Sequence, residues 1–418
     1  MKKKYFRFCF LLLILLLTGC QQHEAEENKP TTVDATDYGL STENDGKTNS
    51  KALQTLIDSL SEDGGTIYIP TGEYEFAENA RQTIGSHCIK MRSDVSIVGD
   101  GATTVLKPIG KSSHGLDMFY FNDYLDTGEP IYLENCRFES FVIDASFTSC
   151  EVYTSAGKGF MFNLFKNCHW KNVTVKSTDA TGFGVDCPID SSITNCTAIG
   201  CGKAATLQSG GASGFGIGYG FCENEGISVS GCVAEGNKKF GFFFEHQGRF
   251  NSEMYNADSE NAFIVTDCRA AGNYYGYGGI CVSGIVYERC TSEYSLSCGF
   301  FFEDSANARV VGCSSKHEKN ACFAVEQTED AMFASEEILF SQCTGESSPV
   351  ALYVNGERQS KPIRDVRMQS CELTSIDRAV QTNGHLSSLT LTDNVAFTSC
   401  ENLLAQVDML IDRDNSWN

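Results

Sequence analysis

Positive charge is scarce in this chain. Only 32 lysines and arginines stand against 54 aspartates and glutamates, a formal net charge of −22. That balance argues against nucleic acid as a partner, because such binding rests on Lys and Arg neutralising phosphates. It also argues against a polyanionic substrate, unless a divalent cation reverses the local sign. No CxxC pair and no HExxH helix is present, which argues against a zinc site. The glycine run Gly210-Gly211, Gly214, Gly216, Gly218 and Gly220 lacks the lysine and the following helix of a phosphate loop, so it reads as tight backbone turns. Beyond the first residues no run is apolar enough to span a membrane.

What is present is a repeated phrase. An aliphatic residue, a second apolar residue two places on and a cysteine three places later recur roughly every 30 residues. Examples are Ile227-Ser-Val229-Ser-Gly-Cys232, Ile285-Val-Tyr287-Glu-Arg-Cys290 and Ile338-Leu-Phe340-Ser-Gln-Cys343. Such self-similarity marks a solenoid. The alternation of apolar and polar residues over short runs, bounded by Gly, Asn, Ser and Asp, makes the unit β. The shortest cysteine spacings, 22 and 23 residues, are close to one coil of a parallel β-helix, and the longer ones carry inserted loops.

Twenty cysteines would suggest disulfides in an exported chain. Here their common phase predicts otherwise. Cys136, Cys168, Cys196, Cys232, Cys268, Cys290, Cys313, Cys343, Cys371 and Cys400 are expected to stack as one internal file of free thiols, ~4.8 Å apart.

The amino terminus reads as an export signal: Lys2, Lys3, Lys4 and Arg7 precede an apolar run from Phe8 to Leu17 that is too short to cross a bilayer. It ends in Leu17-Thr18-Gly19-Cys20, which resembles the lipobox of bacterial lipoproteins. The resemblance implies a lipid anchor on Cys20, a membrane partner and an extracytoplasmic location. Cleavage before Cys20 would remove those four basic residues and take the charge from −22 to −26. The expected organisation is a signal at 1–19, a polar tether at 20–32, an N-terminal cap and first coils at 33–110, and β-helix repeats with a C-terminal cap at 111–418.

In the opening module, Asn49 or Ser50 is expected to cap a helix over 50–60 with Leu53, Leu56, Ile57 and Leu60 on one stripe. A solenoid needs its apolar end covered, and this helix suits the task. Leu403 to Ile411 is the expected closing cap. The phrases Asp37-Tyr-Gly39, Asn44-Asp-Gly46-Lys-Thr48, Gly64-Gly65-Thr-Ile-Tyr-Ile-Pro70, Gly72-Glu-Tyr74 and Val98-Gly-Asp-Gly101 resemble the opening of the pectate-lyase superfamily. The resemblance implies an all-β, single-stranded right-handed parallel β-helix with an N-terminal capping helix. It also implies a polysaccharide partner, in a superfamily of lyases, glycoside hydrolases, uronan C5-epimerases and phage tailspikes.

A second phrase follows each cysteine: Gly182-Phe-Gly-Val-Asp186, Gly241-Phe-Phe-Phe-Glu245, Gly299-Phe-Phe-Phe-Glu303 and Cys322-Phe-Ala-Val-Glu326. Equal phase predicts that Asp186, Glu245, Glu303 and Glu326 form a carboxylate rail. Glu303 and Glu326 would lie on adjacent coils and Glu245 and Glu303 two coils apart, spacings of ~5 and ~10 Å that bracket the carboxylate pairs of glycosidases. The same oxygens could instead hold Ca²⁺, the only cofactor the pattern suggests. His246, Arg249 and Glu223 are expected beside the rail as substrate-binding groups. Gly182 to Pro188 distantly resembles the epimerase phrase Tyr-Gly-Phe-Asp-Pro-His. Gly184 and Asp186 match it, but Phe183, Cys187 and Pro188 replace its tyrosine, proline and histidine. The expected function is glycosidic-bond cleavage, by hydrolysis or elimination, in a groove on the β-helix face. Non-catalytic glycan binding or a structural surface role, and C5-epimerisation, stand as alternatives.

Overall fold

The computed structural model describes residues 31–123, 130–219, 226–246, 263–329, 334–356 and 362–417. From Thr32 onward the chain forms one compact unit. It is a right-handed parallel β-helix. A 25-stranded sheet bends into two faces, and a second, 14-stranded sheet closes the third side. Arg137–Asp144 and His169–Lys176 run unbroken across faces 1 and 2. Ala80–Arg81 against Ser86–Lys90 is an antiparallel exception.

One coil shows the local logic. Ile285–Glu288 lies on face 1, Thr291–Glu293 on face 2 and Cys298–Glu303 on face 3. The corners are made by single left-handed residues: Arg289 (φ 50°), Tyr294 (φ 57°) and Asp304 (φ 49°). At the first corner the same conformation recurs at Asn195, Gly231, Asp267, Gly312, Gln342 and Ser370. Asn, Asp and Gly tolerate it best, which accounts for the Gly/Asn/Asp punctuation of the repeat. Inside, a stacked aromatic ladder runs along face 3. Phe183, Phe215, Phe242, Tyr277 and Phe300 follow one another with ring centroids 4.7–5.0 Å apart.

The cysteines divide differently from the expected single file. Cys196, Cys232, Cys268, Cys290, Cys313, Cys343 and Cys371 share one register at the corner between faces 1 and 2. Cys136 and Cys168 form a separate pair at the corner between faces 3 and 1. The next position there is Ser191, whose hydroxyl accepts the Cys168 N–H at 3.1 Å. Cys400 precedes the face 3 strand Glu401–Leu403, level with Asp377, and belongs to neither file. Every corner uses the same strand–turn–strand pattern, so spacing alone does not tell one corner from the next. All cysteines among the described residues are free thiols. In parallel register neighbouring Cβ atoms stay near the rung spacing of ~4.8 Å, wider than the ~3.8 Å a disulfide prefers.

A thiol at this corner does a defined job. The Cys232 Sγ accepts the Cys196 N–H at 3.4 Å and donates to backbone carbonyl oxygens of Ile193 and Ser230. At the end of the file asparagine takes over: Asn394 Oδ1 accepts the Cys371 N–H at 3.0 Å, and its Nδ2 donates to Met368 O at 2.9 Å.

The helix, α1, spans Gly46–Leu60 and begins four residues earlier than expected, because Asp45 caps it by accepting the Thr48 N–H at 2.8 Å. Asn49 and Ser50 are instead buried fasteners. Asn49 donates to Ser41 O and Glu75 O, and Ser50 to Ala77 O. Leu53, Leu56 and Ile57 are buried in the core and Leu60 packs at its margin. At the other end, Leu404 and Val407 of the segment expected as the closing cap pack against the core. The segment does this as strand, Glu401–Leu403 and Val407–Arg413 pairing with the preceding rung, with Leu403, Met409 and Leu410 exposed.

Candidate active site on the outward side of face 3

Face 3 strands alternate inward and outward residues. Their register places Asn163, Asp186, Gly218, Glu245, Ile280, Glu303, Glu326, Asn355 and Asn383 in one line along the helix axis. Asp186, Glu245, Glu303 and Glu326 therefore share a file. Glu303 and Glu326 pair on adjacent rungs. Gly218 separates Asp186 from Glu245, and Ile280 separates Glu245 from Glu303.

Asp186 is the chemically distinctive member. Burial pushes its carboxyl up to about 6, opposed by Lys158, assisted by Glu245 and opposed by the Gly218 N–H. That N–H donates to Asp186 Oδ1 at 2.7 Å. Lys158 reaches the spot because Gly184 leaves room: a Cβ there would lie 2.5 Å from the lysine Cδ and 2.9 Å from its Nζ. The Lys158 backbone is in turn pinned by fully buried Asp117, which accepts N–H bonds from Gly157 (2.8 Å) and Lys158 (2.6 Å). Gly218, directly beside Asp186 in the file, puts no side chain between it and Glu245, so a carboxyl raised to about 6 faces a second acidic side chain with an ammonium close by.

The remaining sequence-derived candidates fare differently. His246 follows Glu245, so alternation turns it inward; it is 1% exposed and packs edge-on against Tyr219 at 4.8 Å, away from the groove rim. Glu223, Arg249 and Cys20 lie outside the described residues. No group of three or more His, Cys, Asp or Glu poised to hold a metal is found among the described residues, so paired carboxylates are what the rail offers Ca²⁺. No helix among them is long and apolar enough to cross a membrane.

Sequence reasoning missed Lys158 and the outward aromatics. Phe243 and Phe301 stand on the outer side of face 3, clustered with Phe240, Tyr275 and Tyr353. The signal was there: three consecutive phenylalanines break the alternation, so the middle one must face outward.

Residues 32–292 match the family described as rhamnogalacturonase A/epimerase, pectate lyase-like. No curated protein matches the sequence. Among solved structures, the A-module of mannuronan C-5 epimerase AlgE6 from Azotobacter vinelandii superposes with a TM-score of 0.67 at 16% identity, covering 92% of this chain and 98% of that one. The Agl-KA catalytic domain gives 0.63 at 12% identity, over 92% of this chain and 68% of that one. A tailspike protein of E. coli bacteriophage HK620, in complex with a pentasaccharide, gives 0.59 at 15%, over 88% and 67%. At these identities the likeness is one of fold. The family match spans well over half the chain, and the chain belongs to the rhamnogalacturonase A/epimerase, pectate lyase-like family.

Proposed function

We propose that the protein is a carbohydrate-active enzyme that binds a polysaccharide along the outward side of face 3 and cleaves a glycosidic bond between Asp186 and Glu245. The family supports the substrate class. One observation carries the chemistry: an aspartic acid held up to about 6 looks across a glycine rung at a second carboxylate. Two rungs set their backbones ~9.6 Å apart, near the ~6.5–9.5 Å carboxyl separation that admits a water for single displacement. Asp186 then protonates the leaving oxygen, Glu245 activates the water, and the anomeric configuration inverts.

A second reading rests on Lys158. An ammonium beside Asp186 suits neutralisation of a uronate carboxylate, which acidifies the neighbouring C–H and favours elimination or epimerisation. Incubation of the purified protein with diverse polysaccharides separates the two. New reducing ends without absorbance near ~235 nm mean hydrolysis, and both together mean elimination. Exchange of solvent deuterium into uronate C5 without cleavage means epimerisation. Glycan binding with none of these sinks both catalytic readings and leaves a binding protein.

The N-terminal segment adds a lipid anchor on Cys20 and an extracytoplasmic place to this proposal. Fractionation checks it: Cys20→Ser should release the protein from membranes, and retention of that variant would remove the anchor.

A further inference from the structure

Toward the C-terminal half of face 3 the outer surface changes character. The file five residues before the carboxylate file reads Tyr275, Cys298, Ala321, Val350, Arg378 along the axis. Aromatic bulk gives way to three small or medium residues and then to a cation. A groove of about 490 Å³ lies over this stretch, with Tyr275 and Phe301 at one end, Arg378 and Gln381 at the other, and Tyr353 and Glu326 along its side. Tyr275 and Phe301 are stacked at 4.5 Å, which fixes that end wall. Three rungs of floor give ~14 Å of length, room for two or three sugar rings.

The polar walls are held in place. Asn383 Nδ2 donates to the Tyr353 hydroxyl at 2.9 Å, Arg378 Nη1 to Gln381 Oε1 at 2.7 Å, and Asn320 Nδ2 to Ser297 Oγ at 3.0 Å. Lys319 and Arg378 are exposed and line the groove, and neither has an ion pair among the described residues. Two such cations on one groove are notable in a chain of net charge −22, whose neighbouring rail is acidic.

We propose that this groove is a binding site for a short stretch of acidic glycan. Sugar rings lie over the Cys298–Ala321–Val350 floor against Tyr275 and Tyr353, and an anionic substituent pairs with Arg378 and Lys319. Aromatic walls offer apolar contact to ring C–H faces, the guanidinium offers bidentate bonds to a carboxylate or sulfate, and Glu326 accepts from hydroxyls. The site rests on the reading that face 3 takes a glycan. It sits three rungs, ~14 Å along the axis, from Glu245, so it grips the chain away from the reacting bond. Binding there serves to place the scissile linkage at Asp186, as remote contacts do in polymer-acting enzymes.

Calorimetry on the full chain tests this with three probes: an oligogalacturonate hexamer, a chondroitin sulfate hexasaccharide and neutral cellohexaose. Ala321→Tyr fills the floor with a ring that the same file already carries at Tyr275, so the fold should accept it, and an unchanged melting temperature would verify that. The expected result is that an acidic probe binds, that Ala321→Tyr weakens it at least tenfold, and that Arg378→Gln with Lys319→Gln weakens it by a similar factor and flattens its salt dependence. The carboxylated and sulfated probes tell which anion is read. Wild-type affinity in folded Ala321→Tyr, cellohexaose binding as tightly as the acidic probes, or no binding by any probe overturns the proposal. Turnover of Asp186→Asn is a separate readout: if it survives while Ala321→Tyr loses binding, the groove stands and the catalytic assignment falls.

Discussion

At the scale of single residues, Asp186 joins chemistry to stability. Its folded-state pKa, about 6, lies above the ordinary 3.8, so the folded protein binds this proton more tightly than the unfolded chain does. Stability from this group is therefore full below about 4 and is lost as pH rises through 6. Asn mimics the protonated form. Asp186→Asn should lower turnover by ~10²-fold or more, while making the protein more stable at pH 8 by about 1–3 kcal/mol and little changed at pH 4. Equal melting temperatures for the two proteins at pH 8 would show that the carboxyl is not strained by burial. The corner cysteines give a second test. Because Asn394 performs the work of a file cysteine, Cys290→Asn should cost no more than about 1 kcal/mol, whereas Cys290→Phe overpacks the corner and should cost about 1–3 kcal/mol. Denaturant melts of the pair measure the difference, and equal losses would deny the equivalence. The rail was legible in the sequence because shared phase is all it needs. Lys158 was not, since it is brought over Gly184 by a segment that Asp117 pins from an earlier strand.

Elements show where local pattern suffices. The apolar stripe of α1 marked Leu53, Leu56, Ile57 and Leu60, but the start of the helix was misread because Asn49 and Ser50 look like caps. Their side chains are taken by tertiary partners, Ser41, Glu75 and Ala77, that local sequence does not reveal. Leu56→Asp would press an unpaired carboxylate into the first coils and should cost about 3 kcal/mol or more, read as a lower melting temperature. An unchanged melt would mean that α1 covers nothing. At the opposite end composition marks the segment but not its conformation. Leu403 to Ile411 places Leu404 and Val407 on the core, and it does so largely as further strand, a form that composition does not reveal.

For the whole molecule, the repeats announced the β-helix, while loop insertions hid which corner each cysteine occupies. The buried acids act together. Burial raises Asp117, Asp179, Asp304 and Glu318 as well as Asp186. Against them, Asp45, Asp100 and Asp267 are lowered at exposed positions, where solvent weakens the effect, Asp144 and Glu293 are lowered beside their lysine partners, and burial lowers His169. Lowered carboxyls act only below the ordinary carboxylate range, and one lowered histidine opposes five raised acids, so stability should rise on mild acidification from pH 7.5 to 5. A thermal melt that falls steadily over that interval would contradict this sign. The cysteine file has another consequence. Burial pushes the Cys232 thiol up, and every cysteine of the file is buried, so in the closed coil they are shielded from electrophiles. Each coil thus carries an internal timestamp. A pulse of alkylating reagent followed by mass mapping would record which turns of the solenoid breathe, in what order, and whether unwinding travels inward from an end or begins in the middle, with no label added to the protein.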